Sequence, residues 1–109
     1  MAILGVGSDG HIAGLPVGRI QNSELRIKNA TDLVTSFSNF PGPQKERITL
    51  TFLGLSKFDQ IIVLVFGKDK QKALEQMLKT GSVTQIPSRF LTQKEITQKV
   101  TLITDQVVK

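Results

Sequence analysis

An aspartate and a histidine stand two residues apart in the run Gly5-Val6-Gly7-Ser8-Asp9-Gly10-His11, and His11 is the chain's single histidine. A carboxylate beside an imidazole equips one tight turn for general acid–base chemistry near neutral pH. His11 is the candidate base. Asp9 would orient it, or stay ionised to stabilise the imidazolium, as the carboxylate of a catalytic triad does. Gly5, Gly7 and Gly10 would shape the turn, because glycine accepts positive φ and lets backbone come close to a ligand. The plainer alternatives are a histidine bonded to a loop carbonyl and an aspartate that caps its own turn.

The elements around this turn follow from apolar patterning. Residues 3–6 read as a strand, 11–15 as at most a helical turn, and 15–22 as loop. Residues 33–37 read as a second strand, preceded by Thr31 and Asp32, and Asn39-Phe40-Pro41-Gly42-Pro43 breaks the chain after it. Residues 48–51 are β-branched and strand-like, with a short helix expected near 53–58. The unbroken apolar run at 60–66 is the pattern of a strand buried on both faces. Residues 68–79 then read as a helix whose apolar stripe is Ala73, Leu74, Met77 and Leu78, with Gly81 as its stop. Residues 82–90 are expected as loop and 100–104 as a last strand. Strands alternating with helices predict an α/β fold with a mainly parallel sheet, in which ligands bind beyond the carboxyl ends of the strands.

Composition narrows the chemistry. The 109 residues make one domain or part of one, and with no cysteine and one histidine a thiolate or multi-histidine metal site is not available. The Gly7-Ser8-Asp9-Gly10 turn lacks both G-x-G-x-x-G and the Gly-Lys-Ser/Thr of a P-loop, so neither NAD nor ATP is expected. No cofactor is expected. The formal charge of +5 is spread along the chain, with a loose cluster at Lys68, Lys70 and Lys72, and there is no tyrosine or tryptophan for base stacking. Nucleic acid is therefore not the expected partner. No signal-peptide pattern is visible, and the run at 61–66 is far shorter than the ~20 residues of a spanning helix. The expectation is a soluble, cytoplasmic protein.

Three segments in order carry a resemblance: the Gly5–His11 turn, Arg47-Ile48-Thr49-Leu50-Thr51, and the apolar strand ending in Gly67-Lys68-Asp69-Lys70 with Ala73-Leu74 behind it. Together they resemble the 6-phosphogluconolactonase family, which is grouped with the glucosamine-6-phosphate deaminases. Pro87-Ser88-Arg89 and a late strand ending at Asp105 are similar to the family's closing segments. The resemblance covers residues 1–109 as the carboxyl-terminal half of the family's domain and implies a Rossmann-like fold. It implies that His11 activates a water to attack the carbonyl of 6-phosphogluconolactone, in the pentose phosphate pathway. It also implies that N–H groups of the glycine turn polarise the lactone oxygen.

Arg47 and Lys70 become the phosphate ligands, the first through paired hydrogen bonds and the second as a point charge at a helix start. Arg89 is a further candidate, and Lys68 and Lys72 read as surface residues. Deaminases of the group place a glutamate five residues after the histidine; that position is Pro16, and the nearest later carboxylate is Glu24. The lactonase branch is thereby favoured. The alternatives are a non-catalytic sugar-phosphate-binding module and a truncated remnant. A sheet without its front strands would leave an edge open, so a homo-oligomer is expected, or a partner that supplies the missing half.

Overall fold

The computed structural model describes residues 1–18, 32–40 and 42–108. The expected loop positions 19–22, together with Glu24, Thr31 and Pro41, lie outside the described residues.

Three short apolar segments build the central sheet: β1 (Ala2–Gly5), β4 (Ile61–Val65) and β5 (Val100–Thr104). They lie in the order β1-β4-β5 and are parallel throughout, with Ala2 opposite Ile61 and Ile61 opposite Val100. Parallel neighbours need a crossover, and helices supply it between β4 and β5. A short 3₁₀ turn at Lys68–Lys70 leads into α2 (Gln71–Leu78), and a second 3₁₀ segment at Pro87–Thr92 leads into α3 (Lys94–Thr97). The other two strands, β2 (Val34–Phe37) and β3 (Arg47–Leu50), form a separate antiparallel pair. A one-turn helix, α1 (Phe52–Ser56), follows β3 and is capped by Thr51, whose Oγ accepts the N–H of Gly54 at 3.0 Å.

Alternation along the strands decides what is buried. Ala2, Ile61, Val63 and Val65 point to one face and pack with Phe52, Leu55, Leu74, Met77, Phe90 and Leu91 in one core. The rings of Phe52 and Phe90 stack at 4.8 Å between centroids. The opposite face carries Ile3, Leu64 and Ile103, which are 60%, 38% and 45% exposed. β4 is thus buried on one face, not on both as its apolar run suggested. The described residues leave these three side chains exposed, while Ile62 on the same face is half-buried.

Four further expectations change. The helix expected at 68–79 is divided, because the chain leaves β4 in a 3₁₀ turn before α2 begins. Leu78 is 40% exposed, so the buried stripe is Ala73, Leu74 and Met77 alone. Gly81 does not stop the helix; α2 ends at Leu78, with Lys79 already extended, and Gly81 is small because the Arg89 guanidinium packs on it. Residues 82–90 are not wholly loop, since the 3₁₀ segment starts at Pro87, where a proline's fixed φ suits a helical first turn.

Candidate active site at the end of strand β1

The chain leaves β1 at Gly5 and folds straight back on itself. Val6 bridges Ile12, Ile12 bridges Leu15, and the N–H groups of Gly7 and Gly10 donate to His11 O and Gly7 O, each at 2.9 Å. Ile12 and Leu15 are buried and pin the return to the core. Gly10 sits at φ +95°, a conformation that favours glycine, and its carbonyl accepts the N–H of Ser88 at 3.0 Å. The N–H groups of Gly7 and Gly10 are therefore spent within the turn, and neither is left free for the lactone oxygen as expected.

That closure sets the dyad. His11 Nδ1 lies 2.6 Å from Asp9 Oδ1, and the His11 backbone N–H donates to the same oxygen at 3.2 Å. With Nδ1 on the carboxylate, Nε2 is the nitrogen left to handle a proton. A Cβ at Gly7 would overlap the imidazole and stand 2.9 Å from Asp9 Oδ1, so only glycine leaves room for this pairing. Partial burial works to raise the Asp9 carboxyl. The hydrogen bonds from the His11 ring and backbone, and the charge on the ring, outweigh it and hold Asp9 below the usual carboxylate range.

A groove of about 440 Å³ opens beside the dyad, lined by Gly5, Gly7, His11, Ala13 and Lys70. Its size falls within the ~300–1,000 Å³ of small-molecule sites. Lys70 reaches back from the turn after β4, and its Nζ donates to Val6 O at 2.7 Å, tying the two turns together. The Cβ direction at Gly5 meets open space, so the groove has no side chain there.

Arg47 stands apart from that groove by one ring. It borders a second depression with Ser36, Phe37, Ser38, Glu46 and Ile48. Its guanidinium carbon lies 4.4 Å above the centre of Phe40, and its Nε donates to Gln44 O at 3.0 Å. Phe40 in turn meets the His11 imidazole edge-on, at 5.4 Å and 82°.

Arg89 is not with this group. It is 7% exposed, and its Nε donates to Gln76 O at 2.9 Å, so its charge faces the last carbonyls of α2. Cations stabilise that end of a helix, and the expected phosphate role gives way to a structural one. Lys68 and Lys72 are exposed.

Two residues of the site escaped the reading of the sequence. Thr49 is 5% exposed and its Oγ accepts the N–H of Gly14 at 2.8 Å, which anchors the segment after His11 to β3. Period-2 spacing from Arg47 held that signal, since Arg47, Thr49 and Thr51 alternate away from the 82% exposed Ile48. Phe40 gave only the weak signal of an aromatic among turn residues. Among the described residues no group of three potential metal ligands is present.

The model of the family "Glucosamine-6-phosphate isomerases/6-phosphogluconolactonase" matches residues 1–102. The chain belongs to this family. The 6-phosphogluconolactonase of Thermotoga maritima is 35% identical over 97 residues, which cover 89% of this chain and 40% of that protein. A glucosamine-6-phosphate deaminase from Oenococcus oeni is 30% identical, with 97% of this chain and 46% of that protein covered. The 6-phosphogluconolactonase structure from Trypanosoma brucei superposes with a TM-score of 0.71 at 26% identity, covering 94% of this chain and 38% of that one. The chain thus spans less than half the length of the relatives it matches. Within the family it shares both a lactonase and a deaminase kinship, and family members act on sugar phosphates.

Proposed function

We propose that the chain carries the hydrolytic centre of a 6-phosphogluconolactonase, with the phosphorylated sugar lactone as substrate. The observation that supports this best is the Asp9–His11 dyad at 2.6 Å, whose histidine lines a groove that Lys70 also lines. His11 Nε2 takes a proton from a water, and the resulting hydroxide attacks the lactone carbonyl carbon. The ring C–O bond of the tetrahedral intermediate breaks, the imidazolium returns the proton to the ring oxygen, and the open-chain acid leaves. Asp9 stays ionised and steadies the imidazolium. Lys70, on the groove, binds the phosphate; Arg47, which borders a separate depression beyond Phe40, is proposed as a second anion ligand, and the Gly5–Gly10 backbone leaves space for the sugar. No step needs a metal or an organic cofactor.

The deaminase alternative lacks a group in this chain. Pro16, five residues beyond His11, is fully buried and offers no carboxylate to the ring. Paired assays separate the branches: with 6-phosphogluconolactone the chain releases acid faster than buffer, and with glucosamine 6-phosphate it releases no ammonia. Ammonia release without acid release would reverse the assignment. We further propose that the open face of the sheet is covered in solution by a second copy of the chain.

A further inference from the structure

The ring of Phe40 stands between the two chemical halves of the site. It is 2% exposed, although it sits among turn residues and breakers, and its backbone N–H is fixed to Lys45 O at 2.8 Å. On one side is the imidazole of His11, edge-on at 5.4 Å, and against the ring face lies the Arg47 guanidinium at 4.4 Å. His11 Nδ1 is already held by Asp9, and Arg47 Nε by Gln44 O. Both groups also pack against the same ring.

We propose that Phe40 is a positioning residue that couples the base to the second cation. The electron-rich ring face attracts the guanidinium, and edge-to-face packing is a preferred aromatic geometry. One rigid side chain thereby sets where Arg47 presents its terminal nitrogens and how the imidazole lies against the groove. Among the described residues the only ion pair is His11 with Asp9, so no described carboxylate pairs with Arg47. An anion that draws Arg47 into use shifts the ring, and the ring reports to His11. The inference rests on the proposed roles of His11 as base and Arg47 as anion ligand.

Because His11 is the single histidine, its imidazole signals in an NMR spectrum need no assignment by mutation. In the ligand-free chain, Phe40→Leu moves the His11 ring-proton signals by removing the ring current, and Phe40→Tyr keeps them near wild type. Inorganic phosphate, titrated into the same samples, binds about 2- to 5-fold more weakly to Phe40→Leu, the lower range of a cation–π contact. In an Arg47→Gln background Phe40→Leu weakens phosphate no further, because the ring acts through the arginine. A merely structural ring would give additive losses, and additivity overturns the proposal. Unmoved His11 signals in Phe40→Leu overturn it as well. Phe40→Met carries the same cycle should Phe40→Leu not fold. A wild-type chain that binds no phosphate overturns the anion role of Arg47, and the ligand-free His11 signals still decide the contact with Phe40.

Discussion

Gly7 is the residue on which the dyad depends most directly, since any side chain there occupies the space of the imidazole. Gly7→Ala is therefore expected to displace His11 from Asp9 and to remove most of the ~10²–10⁴-fold that a general base contributes. Circular dichroism should show the fold retained while the lactone assay shows the rate lost; a rate at the wild-type level would contradict the geometry. Asp9 carries a pH signature. Its folded carboxyl titrates below its unfolded value, so the stability it adds is fully present above the unfolded pKa of ~3.9 and is lost as pH falls through the lower folded value. The gap in denaturation midpoint between wild type and Asp9→Asn should be open at pH 6 and close toward pH 3. Because Asp9 is 46% exposed, solvent screens the interaction and the gap is small. The dyad was legible in the sequence because its parts are two residues apart and closed by glycines. Phe40 was not, since its contacts with His11 and Arg47 exist only once β3 packs against the turn.

At the scale of elements, small caps and close approaches hold the scaffold. Thr51 caps α1 and also donates from Oγ to Asp32 O at 2.8 Å, joining the helix start to the segment before β2. Thr51→Ala should cost about 0.5–2 kcal/mol of stability in urea denaturation. Gly81→Ala places a methyl group on the Arg89 guanidinium, which is bonded to Gln76 O at 2.9 Å and cannot retreat without losing a carbonyl partner. A loss of about 1–3 kcal/mol is expected, and a neutral substitution would show that Arg89 is free to move. The strands at 61–65 and 100–104 were legible because short runs rich in β-branched residues leave few alternatives. The four-residue α3 and the 3₁₀ segment from Pro87 were not, as both are too short to show a hydrophobic period. Gly81 misled the reading because a glycine after a helix is usually a stop, whereas this one is small for packing.

At the scale of the molecule, the described residues leave one apolar face of the sheet exposed. Ile3, Leu64 and Ile103 share the open face of the sheet, and Phe66, 51% exposed, follows directly at the end of β4. The register sets Leu64 opposite both Gly5 and Ile103, so these side chains form one patch, and Gly5 lines the groove of the dyad. Contiguous apolar surface of this kind drives association. Light scattering should find a dimer or larger assembly at micromolar concentration, and Leu64→Lys should dissociate it; a well-folded monomer would contradict this. The parallel sheet was legible from alternating strands and helices, but the bare face was not, because an apolar run does not say which side is covered. The central claim is that His11 acts as the base for opening a phosphorylated sugar lactone. It is tested most directly by the rate of 6-phosphogluconolactone hydrolysis above the spontaneous reaction, for wild type and His11→Ala side by side. The account predicts an increment for wild type that falls by about 10²–10⁴-fold in His11→Ala; a wild-type rate equal to buffer, or a His11→Ala rate equal to wild type, would contradict it.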